Sequence, residues 1–150
     1  MIRFAESGQE EELNCILAGH DLAMAGETED HAVLQEDGKI LAGGLLWQMD
    51  EDLFHLLVLG VRQEDRNTGI GRQLLQEMCR NPWRYCSDAT EPVGGSYRIT
   101  TVARGQSVKF YLKCGFQACD FSGLSTPFDS QCDNCPDREE CKPAAMVFKG

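Results

Sequence analysis

The chain has 150 residues, 42% of them hydrophobic and 25% charged, with a formal net charge of −10 at pH 7. That length suits one core, the apolar share can fill it, and the charged share is that of an ordinary globular protein rather than a disordered one. Fourteen Lys and Arg against 24 Asp and Glu argue against a phosphate backbone as partner, because that needs clustered cations; no nucleic-acid role is expected.

Met1-Ile2-Arg3-Phe4 runs towards Glu10-Glu11-Glu12 with no apolar leader segment, and no run of about eighteen apolar residues follows. The expectation is a cytoplasmic protein without a membrane span. Eight Cys in such a chain are expected to be thiols or metal ligands, not a disulfide framework. An acidic surface suits a cationic partner such as an amine, and serves solubility equally well.

Ile2–Ala5 reads as a short strand. Ser7 with Glu10 three residues later makes a capping-box pattern, and Leu13, Ile16 and Leu17 predict a first helix to about Ala18. His20–Asp30 is irregular or weakly helical. His31–Gln35 and Ile40–Gln48 are strands joined by a hairpin turn at Glu36-Asp37-Gly38-Lys39. After a turn at Met49–Asp52 comes Leu53–Val61, a long apolar strand that must be buried on both faces.

The polar loop Arg62–Thr68 leads into a helix opened by Gly69-Ile70-Gly71. Ile70, Leu74, Leu75 and Met78 form its core stripe, and Asn81-Pro82 stops it. Trp83–Ser96, with Pro92 and Gly94-Gly95, is a loop. Tyr97–Ala103 is β-rich, Gln106–Cys114 helical and Gly115–Phe121 a strand. Ser122–Pro143 is irregular, and Ala144–Phe148 is a closing strand. Without internal repeats, this order predicts one α+β domain over residues 1–150, built on a mixed sheet.

The stretch Val61–Arg72 carries the chemistry. A buried strand ends, a polar loop turns, and two glycines sit at a helix start, which together make an anion cradle. The first amides of a helix lack intrahelical partners and carry the positive end of its dipole. Glycines let a diphosphate approach the backbone, and Arg66 can add charge-assisted contacts. A dinucleotide fingerprint would need Gly where Leu74 stands, and a Walker loop would need Gly-Lys-Ser/Thr. A tight strand-to-helix turn would use the same glycines.

Arg66-Asn67-Thr68-Gly69-Ile70-Gly71 resembles the Gln/Arg-x-x-Gly-x-Gly/Ala acyl-CoA loop of the GNAT superfamily of N-acetyltransferases. Some forty residues later, Ser107-Val108-Lys109-Phe110-Tyr111-Leu112-Lys113-Cys114-Gly115-Phe116 is similar to that family's Ala-x-x-Phe-Tyr-x-x-x-Gly-Phe signature. The resemblance covers roughly Ile2 to Phe121 and the last strand. It implies a mostly antiparallel mixed sheet of six to seven strands flanked by helices. It also implies acetyl-CoA as co-substrate and transfer of acetyl to a primary amine, on a small molecule or a peptide, by direct attack in a ternary complex. A homodimer is left open.

By the same resemblance, backbone groups at Leu59, Gly60 and Val61 would hold the pantetheine arm and the acetyl carbonyl. The amides of Arg66, Asn67, Thr68, Gly69, Ile70 and Gly71, with the Arg66 side chain, would hold the diphosphate. Tyr111 would protonate the departing CoA thiolate. His55 falls where the histone-acetylating branch carries its glutamate base, and could take the amine proton directly or through water; a half-buried structural His would look the same. Glu27, Glu29 and Asp30 are further candidates for amine recognition. The chain departs from the family at Arg104, where Asn is frequent.

The Cys-rich segment at about 122–143 lies outside the family pattern. Cys132-x2-Cys135 is a half-site for a metal, Cys141 a third ligand, and Cys119 or Cys86 a fourth, for zinc or an iron–sulfur cluster. Free thiols or a Cys132–Cys141 disulfide are the alternatives. Cys15, Cys79 and Cys114 read as structural. The competing functional reading is a catalytically silent acyl-CoA-binding or thiol- and metal-sensing module on the same fold.

Overall fold

The computed structural model describes residues 1–20, 22–90 and 95–150. Pro92 and Gly94 of the expected loop lie outside the described residues. The elements are β1 (Ile2–Phe4), α1 (Glu10–Ala18), β2 (Ala32–Glu36), β3 (Lys39–Asp50), β4 (Leu53–Val61), α2 (Ile70–Arg80), β5 (Arg98–Ala103), α3 (Val108–Lys113), β6 (Gln117–Cys119), α4 (Arg138–Cys141) and β7 (Ala144–Lys149). No helix among the described residues is long and apolar enough to cross a membrane.

The seven strands form one sheet in the order β1-β2-β3-β4-β5-β7-β6. Every neighbouring pair is antiparallel except β4 with β5. This is the mostly antiparallel mixed sheet that the resemblance to the GNAT superfamily implies. The parallel pair needs a crossover, which α2 supplies.

Two strips of core follow from the two helical stripes. Leu13, Ile16 and Leu17 of α1 meet Val33, Ile40, Leu45 and Val58 on one face. Leu74, Leu75 and Met78 of α2 meet Leu34, Leu46, Phe54 and Leu56 on the other. β4 therefore is apolar on both sides, as expected.

Two local expectations fail. Ser7 does not cap α1: Gln9 occupies the cap without a side-chain cap bond, and its Oε1 instead accepts the Glu6 amide at 2.8 Å. Gly8, at φ +102°, turns the chain before the helix can start, so Ser7 stands two residues before the cap position. The first turn is stabilised by Glu10, Glu11 and Glu12 at the positive end of the helix dipole. The segment after β6 is less irregular than expected, because α4 and a run of tight turns occupy it.

Two departures from regularity in β4 shape everything near it. Opposite β3, Leu45 pairs with Val58 and Leu46 with Leu56, so Leu57 is an extra residue, a β-bulge. Leu57 and Val58 consequently face the α1 side together. On its other edge β4 pairs with β5 only from Leu53–Arg98 to Leu56–Thr101. Beyond the bulge the two strands part.

The segment between β6 and β7 is anchored by Leu124 and Phe128, only 5% and 8% exposed, against Ala145. Phe128 stacks face to face on His55, with ring centroids 3.8 Å apart. His55 Nδ1 lies 2.8 Å from Thr100 Oγ1, which itself donates to the Phe54 carbonyl at 3.3 Å. Nδ1 is therefore the protonated nitrogen of a neutral ring. Burial pushes the His55 pKa down to about 4.

That shift fixes a pH dependence. The unfolded chain binds a proton at His55 below about 6.5 and the folded one does not until about 4, so stability is full above pH 6.5 and falls towards pH 4. The loss amounts to up to about 3 kcal/mol, and buried His31, lowered chiefly by desolvation, adds in the same sense. Urea midpoints of wild type should drop between pH 7 and pH 4.5, and those of His55→Gln should drop distinctly less. Equal drops would show that His55 titrates normally in the folded chain.

Candidate active site

Where β4 and β5 part, a cleft of about 270 Å³ opens. Its walls come from Leu57, Val58 and Leu59 of β4, from Thr101 and Val102 of β5, and from Tyr111 of α3. Alternation along β4 decides which backbone groups face it. The Arg62 amide bonds Leu41 of β3 at 2.7 Å, so residues 62 and 60 turn their polar groups to β3, while Val61 and Leu59 turn theirs to the cleft. Of the three residues expected to hold a pantetheine arm, Leu59 and Val61 present amides and carbonyls outward. Gly60 serves the sheet.

Gly60 has a second duty. A Cβ there would lie 3.2 Å from both His20 and Leu17, so glycine lets α1 and its trailing loop close on the strand. His20 uses that approach: the Val61 amide donates to its Nε2 at 3.0 Å. Sequence reading passed over His20 as part of an irregular stretch. The signal lay in the pairing of a His just past a helix end with a Gly in a buried strand.

The loop after β4 is curled by two left-handed residues, Asn67 at φ 65° and Gly69 at φ 88°. Thr68 Oγ1 donates to the Asp65 carbonyl and ties the turn. Gly69 is the N-cap of α2 and brings no side-chain cap; the first helical bond runs from Gln73 N–H to Gly69 C=O at 2.9 Å. The amides of Ile70, Gly71 and Arg72 thus precede the hydrogen-bond ladder at the positive end of the helix. A Cβ at Gly69 would meet nothing within 4 Å, whereas one at Gly71 would strike Val61 Cγ2 at 2.8 Å. Gly69 serves the turn, and Gly71 lets α2 pack on β4.

Arg66 is directed elsewhere than expected. Its Nη2 donates to the Gly19 carbonyl at 3.0 Å and its Nε to Val61 O at 3.4 Å, so the guanidinium closes the C-terminal end of α1. Among the described residues, the loop amides at the start of α2 carry no such internal side-chain partner.

Tyr111 is held edge-on between Phe110 and Phe116, with centroids 5.3 Å from each, and is 8% exposed. Burial pushes its phenol well above the ordinary tyrosine range, and a hydrogen bond with Thr101 opposes this only in part. It therefore carries its proton at every working pH. His55 lies beneath the Phe128 ring on the other side of the sheet from Tyr111, with its Nδ1 spent on Thr100. Asp30 accepts from Ser87 at 2.7 Å and from the Glu27 amide at 3.3 Å, so part of the expected acidic group is engaged in fixing its own loop.

The expected metal centre is not formed. Among the described residues no group of three or more His, Cys, Asp or Glu is placed to hold a metal ion. Cys132, Cys135 and Cys141 line the cleft instead, while Cys119 sits on β6 in the cluster around Phe128, and all are free thiols. Cys86, in the segment after α2, is buried apart from them. The segment is held by the Leu124 and Phe128 anchors and by successive tight turns.

Comparison with known proteins agrees with this geometry. The profile of the acetyltransferase (GNAT) domain matches residues 27–118. Among solved structures, N-acetylglutamate synthase from Neisseria gonorrhoeae, complexed with coenzyme A and N-acetyl-glutamate, superposes with a TM-score of 0.76 at 14% identity over 99% of this chain. The present chain spans only 34% of that enzyme's length. Rv2747 from Mycobacterium tuberculosis, in complex with CoA and NLQ, gives 0.71 at 11% identity, covering 99% of this chain and 98% of that one. The ribosomal-protein-S18-alanine N-acetyltransferase from Escherichia coli gives 0.62 at 15% identity, covering 99% and 91%. Curated protein sequences give no match. The profile covers more than half of the chain, so the chain belongs to the GNAT family of acetyltransferases.

Proposed function

We propose that the protein transfers an acetyl group from acetyl-CoA to a primary amine, by direct attack with both substrates bound. One observation carries this reading: beyond the bulge at Leu57 the outer edge of β4 has no strand beside it among the described residues, and it leads through the loop after Val61 to the uncapped N-terminus of α2. An extended amide-bearing arm can pair with that edge as a further strand would, with its phosphates ending on the helix amides. The cleft between, lined by Leu57, Leu59 and Tyr111, would take the thioester.

In this scheme the Leu59 and Val61 backbone groups position the pantetheine arm. Val61 exchanges its present partner, the His20 ring, for the cofactor. The amine attacks the thioester carbonyl, the carbon–sulfur bond breaks, and Tyr111 delivers a proton to the departing sulfur. A phenol with a raised pKa is a weak acid, but a thiolate confined in the same dry cleft is a correspondingly stronger base, so the transfer stays nearly matched. Holding both reactants in one cleft supplies much of the rate, up to about 7–11 kcal/mol for ideal alignment. His55 is screened by Phe128, so the amine loses its proton to water rather than to this ring. The acceptor is an amine of a small molecule or a peptide.

Acetyl-CoA at about 100 times its Kd should stabilise the fold by about 2.7 kcal/mol, or roughly 5–10 °C in Tm. Gly69→Glu, whose side chain has room although the left-handed backbone at φ 88° strains it, places a carboxylate at the helix start and should lose most of that shift while keeping the fold's circular dichroism. A full shift in Gly69→Glu would put the cofactor elsewhere.

Tyr111→Phe should lower kcat by about 10²–10⁴-fold while acetyl-CoA binding changes little. Since the phenol does not titrate near neutrality, wild type and variant should share the same pH profile up to about pH 9. Unchanged kcat, with chemistry shown to be rate-limiting, would make Tyr111 a packing residue.

A further inference from the structure

Three thiols that acetyl transfer leaves unused face the place where that reaction would occur. Cys132, Cys135 and Cys141 line the same cleft as Leu57 and Tyr111. Cys132 and Cys135 close a single turn, with the Cys135 amide 3.3 Å from the Cys132 carbonyl. Residues so related have Cα atoms within about 7 Å, near the span a disulfide needs. All three are reduced, and ionisation of Cys135 or Cys141 acts on Cys132 through the field between them.

We propose that these thiols form an exchange site served by the cofactor cleft, reacting with disulfides that carry a pantetheine arm, CoA disulfide being the simplest. The proposal rests on the acetyl-CoA reading above, because the groups that would hold the arm of acetyl-CoA deliver the disulfide sulfur to the cysteines. One cysteine thiolate attacks a sulfur of CoA disulfide. The bond between the two CoA sulfurs breaks, one CoA leaves as a thiolate and takes up the proton the cysteine gave to solvent, and the other stays in a mixed disulfide. A neighbouring cysteine thiolate then attacks the protein sulfur of that mixed disulfide, expels the second CoA and closes an internal disulfide. Two protein thiols are oxidised and CoA disulfide is reduced.

Selectivity follows from the surroundings. Burial raises the Cys132 thiol, with Gln131 and Arg138 opposing, so little thiolate is present at neutral pH and exchange with a free disulfide is slow. A disulfide held in the cleft meets the same thiol at a local concentration in the millimolar range or above. A mixed disulfide fills the cleft, so acetyl transfer and thiol exchange exclude one another.

The test compares CoA disulfide with glutathione disulfide at equal concentration on the reduced full-length protein, read by intact mass and peptide mapping. Cys132, Cys135 or Cys141 should be lost about tenfold faster or more with CoA disulfide, as a single CoA adduct or an internal disulfide, and excess S-ethyl-CoA should suppress the difference. Equal rates with the two disulfides, or reaction confined to the exposed Cys15 of α1, overturns the proposal. The thermal shift with acetyl-CoA is measured on the same protein. A shift without disulfide preference overturns this inference alone, and absence of any shift overturns the acetyl-CoA reading together with it.

Discussion

The structure turns on how β4 ends its pairing. A central strand ordinarily gives every backbone amide and carbonyl to a neighbour, because an unpaired buried group costs about as much as a lost hydrogen bond. Here the extra residue at Leu57 and the loss of β5 beyond Leu56 leave the second half of β4 paired on one side only. Leu59 and Val61 then carry polar groups with no strand beside them. In the described structure the Val61 groups are satisfied by His20 and Arg66, side chains that can move. An edge satisfied by side chains rather than by a strand can be surrendered to an incoming ligand.

The neighbouring elements are fitted around that edge. Gly60 admits α1 and His20, and Gly71 admits α2 against Val61, so both helices close on the strand at the level of the opening. Arg66 bonds the carbonyl that ends α1, and Gly69 leaves the start of α2 uncapped. One helix end is therefore closed and the other left open by two residues of the same loop, Arg66 and Gly69.

Much of this was legible in the sequence. The alternating apolar strands, the helix stripes and the glycine pair at 69 and 71 are local patterns, and the strands and the two long helices fall where those patterns place them. The bulge at Leu57 could not be read, since Leu53–Val61 is apolar on both faces and alternation gives no phase to break. Nor could the direction of Arg66, whose partner Gly19 is 47 residues away. His55 illustrates the same limit: a His in a strand is legible, but the Phe128 ring that covers it arrives from 73 residues later. The cysteines show the same limit from another side. Their spacing is that of a metal knuckle, yet Leu124 and Phe128 dock the segment so that the thiols line a cleft instead of converging on an ion.

Residue-resolved amide hydrogen exchange with and without acetyl-CoA tests the central claim most directly, because it reads the open edge of β4 itself. If an extended arm pairs with that edge and ends on the helix start, Leu59, Ile70, Gly71 and Arg72 should slow markedly on adding acetyl-CoA, while Gly60, already paired with β3, should not. Protection confined to the separate hollow of about 390 Å³ between α1 and Arg62–Arg66, with Leu59 and Ile70–Arg72 unchanged, would contradict the account.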